Sequence, residues 1–195
     1  MKEPIRIFIV EDDPDYIYLI EKQLRMHSEI QIVGSCMNQK EAVTMACKCH
    51  PNLVLVDLNL GTSSTDGIAV SREIRILTNA KVLILTALDS PDIILTAAKQ
   101  AFASGYIFKS QPSLLIETIF ALAKGYTAQE YLIASAALSC LSEAEFTVFQ
   151  IMMGKDIKLQ SAPKTIANQK TGVLKKLGLE NQKELLHVFE LFKNN

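Results

Sequence analysis

The fold predicted for this chain of 195 residues is a doubly wound parallel α/β sheet followed by a small all-helical unit. Three observations predict it. Apolar runs of strand length alternate five times with segments of helical period before about residue 124. Four of those runs end on polar residues: Glu11-Asp12, Asp57, Thr86 and Lys109. From Lys124 the strands stop, and beyond Cys140 only helical patterns remain.

Strands are expected near 5–10, 30–33, 53–56, 81–85 and 106–108. Their near-continuous apolar character, with helices between them, suits a parallel sheet covered on both faces, and right-handed crossovers leave few topologies. A flavodoxin-like five-stranded sheet is the expected result. Helix starts are marked by Asp13 before Pro14, Ser90 before Pro91 and Gln111 before Pro112, each placing a proline at a first helical position. Residues 125–140 read as a partly helical connector between a first domain, 1–124, and a second, 141–195. In the second domain Ser142 and Glu145 have capping-box spacing, opening a helix that Gly154 closes. Ser161 is expected to cap the next helix, with Pro163 in its first turn, Lys176 near its end and Gly178 beyond it; Asn181 with Glu184 caps the last.

Composition narrows the class. Hydrophobic residues make up 49% and charged residues 21%, as in a globular chain, and no apolar run approaches the roughly 20 residues of a membrane span. Charged residues stand where a signal peptide would be apolar, so a cytoplasmic location is expected and no membrane partner. Four cysteines show no framework spacing, and Cys47-Lys48-Cys49-His50 reads as a helix end turning towards a strand more readily than as half a metal site. Net charge is -1, but residues 141–195 carry 8 Lys and no Arg against 6 acidic residues, leaving a mildly basic tail. That charge is compatible with nucleic acid and does not argue for it unaided.

In an open parallel sheet, ligands bind beyond the carboxyl ends of the strands, so the polar strand-end residues converge there. Glu11, Asp12 and Asp57 would crowd three carboxylates into one pocket, and a hard divalent ion relieves their repulsion. Oxygen-only ligands with room for water and phosphate suit Mg²⁺. Asp57 is then placed as a nucleophile towards phosphorus, Lys109 neutralises charge on the transferred group, and Thr86 supplies a hydroxyl to a phosphoryl oxygen. Taken singly, each residue has a plainer reading: Asp13, Asp15 and Asp66 are caps or turn residues, and Lys109 alone would be a surface lysine.

These residues stand in the order and spacing of a known family. From about 3 to 124 the chain resembles a response-regulator receiver domain, on Glu11-Asp12, Asp57 with Asn59 two residues on, Thr86-Ala87, Gly105-Tyr106 and Lys109. The resemblance implies that Asp57 is the phosphoacceptor and that Asp12, Asp57 and the backbone carbonyl of Asn59 ligate Mg²⁺, with Glu11 acting through water. It also makes Thr86 and Tyr106 a switch pair, and it implies a sensor histidine kinase or phosphotransfer protein as partner and a homodimer when phosphorylated. Two departures are local: the loop Leu60–Gly67 is longer than usual and lacks a proline, and Ser110 replaces a proline after the lysine.

The tail is similar to the LuxR-type helix-turn-helix that follows the receiver in NarL/FixJ regulators, on Leu141-Ser142 with Glu145 and Val148, Lys164 to Lys170, and Leu174 to Gly178. That similarity implies DNA as a partner and places Lys164, Thr165, Gln169 and Lys170 on the recognition helix, lysines for phosphates and glutamine for adenine edges. Ala167 stands where a basic residue is usual. Between Gly154 and Ser161 the chain is about five residues short, roughly 7 to 8 Å of helix, which cuts the scaffold helix to a single turn. The reading is therefore a regulator rather than an enzyme, phosphorylated on Asp57 and controlling transcription. The alternative is a phosphorylation-controlled protein-interaction or dimerisation output whose tail does not bind DNA. A dehalogenase-type phosphatase would need a second aspartate where Asn59 stands, and Glu11-Asp12-Asp13-Pro14 would repel a dinucleotide pyrophosphate.

Overall fold

The computed structural model describes residues 3–61, 66–158 and 162–193. Five strands, β1 (Ile5–Val10), β2 (Ile30–Cys36), β3 (Leu53–Val56), β4 (Lys81–Thr86) and β5 (Gly105–Phe108), form one parallel sheet in the order β2-β1-β3-β4-β5. The helices between and after them are α1 (Pro14–Leu24), α2 (Gln39–Cys49), α3 (Asp66–Leu77), α4 (Pro91–Gln100) and α5 (Leu114–Lys124). Then come α6 (Ala128–Leu138), α7 (Glu143–Met152), α8 (Pro163–Leu177), α9 (Gln182–Val188) and a 3₁₀ turn, Glu190–Phe192. This is the doubly wound order, and strand order reverses between β1 and β3, where such sheets hold their sites.

Strand alternation divides the core. Ile7, Ile9, Leu53, Leu55, Leu83, Leu85 and Ile107 point to the face covered by α1 and α5, packing on Ile20, Leu24, Leu115 and Ile119. Phe8, Val10, Val54, Val56 and Val82 point the other way, onto Ala42, Ala46 and Ile74 of α2 and α3. Both faces are dry, which explains why the strands read as unbroken apolar runs.

Most boundaries follow the sequence reading, with five corrections. β2 runs on to Cys36 because the sheet accommodates an irregularity: Phe8 pairs with Gly34 where Ile7 pairs with Ile32. A Cβ on Gly34 would sit 3.1 Å from the Phe8 ring, so the glycine lets the bulge close. The Gln111-Pro112 start is displaced: Leu114 and Leu115 donate to Gln111 and Pro112 carbonyls in turns, and the helix opens at Leu114. The connector holds a complete helix, α6, with a capping box between Thr127 and Glu130. The single-turn scaffold helix is missing from Lys155–Lys158, which form no helix, and 159–161 lie outside the described residues. Ser161 is among those; α8 has Ala162 at its N-cap and no side-chain cap, and it extends to Leu177 before Gly178 closes it at φ +62°.

The other helix signals hold. Asp13 accepts the backbone N–H groups of Asp15 and Tyr16, Ser142 and Glu145 make the expected capping box, and Asn181 accepts the N–H of Glu184. Cys49 ends α2, with His50 left-handed after it, and β3 follows.

The C-terminal helices surround their own core of Val148, Phe149, Met152, Val173, Leu177, Leu185, Val188 and Phe189. Phe102, from the turn between α4 and β5, is part of that same cluster, as are Ala137 and Leu138 of α6. Arg72 of α3 donates to the carbonyls of Leu177 and Gly178 at the end of α8, while Arg75 donates to Val188 and His187 Nε2 lies 2.8 Å from the Thr78 carbonyl. No helix among the described residues is long and apolar enough to cross a membrane.

Candidate functional site

Register places the site. Val10 pairs with Val56, so the next residues, Glu11 and Asp57, stand side by side at the sheet's carboxyl edge, and the Asp57 N–H donates to the Val10 carbonyl at 2.9 Å. Thr86 pairs with Phe108, and the following Lys109 donates its N–H to the Thr86 carbonyl. Four strand ends thus deliver their polar residues to one edge.

The lysine ammonium is the hub. Lys109 Nζ lies 2.7 Å from Asp57 Oδ2 and 2.6 Å from Glu11 Oε2, and 4.2 Å from the centre of the Tyr16 ring. Glu11 and Asp57 are only 2% and 5% exposed, so their charges depend on that partner. Burial raises the Glu11 carboxyl above its ordinary range, with the Asp57 charge adding to it and Lys109 opposing it. For Lys109, burial works downwards, but the hydrogen bonds it donates to Asp57 and Glu11, with the charges of those carboxylates, outweigh it and hold the ammonium above its usual value.

Asp57 Oδ1 accepts the N–H of Asn59 at 3.2 Å, and Asp12 Oδ2 accepts the N–H of Gly61 at 2.9 Å. Glu11, Asp12 and Asp57 each bring a carboxylate oxygen within 4.8 Å of the others. Three carboxylates facing one ammonium leave an excess of negative charge on oxygen donors alone, a set that fits a hard divalent cation. Among the described residues this is the one group of three potential metal-binding side chains, so Cys47 and Cys49 form none.

The two expected switch residues meet at Leu88, just after β4. Thr86 Oγ1 accepts the Leu88 N–H at 3.2 Å, and the Tyr106 hydroxyl donates to the Leu88 carbonyl at 3.1 Å. Burial pushes the Tyr106 phenol up to about 12, helped by the charges of Asp57 and Asp89. Residue-level reading missed three neighbours of this site. Leu88 shows no chemistry in its type, and Tyr16 is visible only as an aromatic one turn into α1. Gly67 is pressed against the backbone of Asp57 and Leu58, since a Cβ there would lie 2.0 Å from the Asp57 carbonyl oxygen. Four residues of the Leu60–Gly67 loop, 62–65, lie outside the described residues.

On α8 the four residues expected at DNA do not share a face. Lys164 and Thr165 are exposed, whereas Gln169 and Lys170 are half-buried. At about 100° per residue Gln169 and Lys170 lie on opposite flanks of the buried stripe through Val173 and Leu177. The fully exposed ridge is Lys164, Asn168, Thr171 and Lys175. Its i, i+4, i+7, i+11 spacing was legible as the face opposite the apolar one.

The fold and this strand-end constellation define an open parallel α/β sheet of the receiver class, with an acidic site at the carboxyl ends of its strands. A family model described as the response regulator receiver domain matches residues 7–120, more than half the chain, and the chain belongs to that family. Among curated relatives, a nitrate/nitrite response regulator homolog from Haemophilus influenzae is 27% identical over 127 residues, 64% of this chain and 60% of that protein. The oxygen regulatory protein NreC of Staphylococcus aureus is 24% identical over 191 residues, covering 84% of this chain and 86% of its own. A protein-glutamate methylesterase from Methanospirillum hungatei matches at 26%, but the match spans only 31% of it. Among solved structures, a LuxR-family two-component response regulator from Aurantimonas is 28% identical with a TM-score of 0.59, covering 69% of this chain and 96% of that one. The RcsB response regulator of Salmonella typhimurium shares the fold across 97% of this chain and 100% of its own, at 24% identity and a TM-score of 0.57. Beyond the receiver, the chain is similar to response regulators of the NarL and LuxR kind. The match spans about three-fifths of the nitrate/nitrite regulators and under a third of the methylesterase.

Proposed function

We propose that this protein is phosphorylated on Asp57 by a partner histidine kinase or phosphotransfer protein and passes that signal to its C-terminal helices, which act on transcription by binding DNA. The observation that carries the first half is the Lys109 bridge, 2.7 Å to Asp57 and 2.6 Å to Glu11, at the edge where the sheet reverses its order. We assign residues 1–124 to the receiver, 125–140 to the linker and 141–195 to the output unit.

In the proposed reaction a carboxylate oxygen of Asp57 attacks the phosphorus of a phosphohistidine. A P–O bond forms as the P–N bond breaks, and the bonding pair leaves on the imidazole nitrogen, which takes up a proton. Lys109 turns from the Asp57 oxygen to an oxygen of the arriving phosphoryl group and keeps its ion pair with Glu11, so the pocket retains a counter-charge throughout. Asp12, Asp57 and the Asn59 carbonyl would hold Mg²⁺, with Glu11 behind a water; bound there, the ion supplies charge neutralisation on the phosphoryl oxygens. Thr86 exchanges its bond from Leu88 for one to a phosphoryl oxygen, and Tyr106, bonded to the same residue, follows. Labelling with acetyl phosphate and Mg²⁺ tests this: the parent should take up one phosphoryl group and Asp57→Asn none, and uptake by Asp57→Asn would refute the assignment.

The DNA half rests on α8 and its exposed ridge of Lys164, Asn168, Thr171 and Lys175, to which we add Thr165 on one flank; Gln169 and Lys170 contribute from the edges. One observation favours a second reading. Lys155–Lys158 form no helix, so the described residues provide no scaffold helix to brace α8 against the DNA backbone. A tail built that way would instead dock a protein partner or a second copy of the chain. Mobility shift of the phosphorylated protein on fragments of its own genome separates the two.

A further inference from the structure

We propose that α6 is a latch on the edge strand of the sheet, and that Gln129 is its bolt. Parallel strands leave every second peptide of an edge strand unpaired, and on β5 that peptide is Tyr106. The Gln129 side-chain amide covers both of its groups: Oε1 accepts the Tyr106 N–H at 3.4 Å, and Nε2 donates to the Tyr106 carbonyl at 3.1 Å. The residue carrying the switch phenol is thus clamped at its backbone by a helix that belongs to the connector.

Three further observations make α6 a transmission element rather than a passive cover. Its N-terminal end is fixed, because the buried Glu130 pairs with Lys81 at 3.0 Å, and Lys81 sits 4.8 Å from the centre of the Tyr126 ring. Its far end is built into the C-terminal core through Ala137 and Leu138. Between these, α6 packs along α4, and its Gln129 and Ile133 face a partly open cavity of about 370 Å³ against Ile84, Ile94, Ala103, Tyr106 and Phe108, so its grip on β5 is made chiefly by Gln129. A movement of Tyr106 therefore strains two hydrogen bonds and is felt in the bundle beyond, and by linkage the latched helix opposes phosphorylation of Asp57.

The inference rests on the receiver reading above. Gln129→Ala removes the bolt and leaves Glu130 in place. Two exposed hydrogen bonds translate into about a threefold to tenfold rise in the rate of labelling by acetyl phosphate. Ser139→Ala, at the C-cap of the same helix and with its hydroxyl donating to the Ala136 carbonyl, should label like the parent. Hydrogen exchange should quicken in residues 105–108 of unphosphorylated Gln129→Ala, and in α6 of the parent once it is phosphorylated. Equal labelling rates for parent and Gln129→Ala, with α6 exchange unmoved by phosphorylation, would overturn the latch while leaving the receiver reading intact. A parent that takes no label at all would remove both.

Discussion

Lys109 bonds two buried carboxylates, of which burial pushes Glu11 towards protonation while the lysine opposes it, and that single contact decides how the pocket behaves. Lys109→Met should keep the fold but lower the phosphorylation rate by at least about tenfold, since a charge-assisted contact to the transferred group is lost; an unchanged rate would detach the lysine from the chemistry. Asp12→Asn should weaken Mg²⁺ binding, read by metal-dependent quenching or calorimetry, while Asp13→Asn leaves it alone because Asp13 only caps α1; equal losses would misplace the acid pair. Tyr106 gives a pH signature. Its phenol ionises near 10 when unfolded and near 12 when folded, so the folded state holds the proton longer and stability falls as pH climbs through that window. Tyr106→Phe should flatten that part of the alkaline limb in urea unfolding. The acids, the lysine and the hydroxyl were legible because residue type and strand-end position together specify them. Leu88 and Gly67 were not, because their roles lie in backbone groups and in the space left by an absent Cβ.

Elements were legible where a local signal and the sheet agreed. The strands match to within a residue except β2, whose extension depends on a bulge opposite Phe8, a cross-strand property that no single run displays. Pro112 misled because a proline suits a turn as well as a first helical position. The connector hid α6 since its helix has almost no amphipathic pattern: it buries residues against the sheet on one side and the C-terminal core on another. On α8 the same question of faces yields a prediction. Lys164→Ala and Lys175→Ala, both on the exposed ridge, should each weaken DNA binding uniformly across sequences and reduce the slope of log affinity against log salt by about one. Lys170→Ala, on the half-buried flank, should do so less. A larger loss for Lys170 than for Lys164 would mean that α8 meets DNA by another face.

At the scale of the molecule, the output helices are not a tethered tail. Phe102 stands at φ +53°, a conformation that costs a bulky residue on the order of 1–3 kcal/mol, yet its ring is buried against Phe189 and lies 4.3 Å under the Arg72 guanidinium. The C-terminal core is closed by a residue of the sheet domain, and Arg72 reaches over to cap the end of α8. The sheet domain and the C-terminal helices therefore share one packed interface, along the α4–β5 turn that leads directly into Tyr106. Phe102→Gly relieves the backbone strain but deletes the ring, and losing a buried phenylalanine costs about 3–5 kcal/mol. The difference, about 2 kcal/mol of lost stability at the middle of those two ranges, should appear first in the C-terminal helices. Trypsin should then cut at Lys155 and Lys158 under conditions where the parent resists, while residues 3–124 stay protected. If the glycine variant is as stable as the parent and equally resistant, the ring is no anchor, and the two parts of the chain are coupled instead by α6 and by the Arg72, Arg75 and His187 contacts.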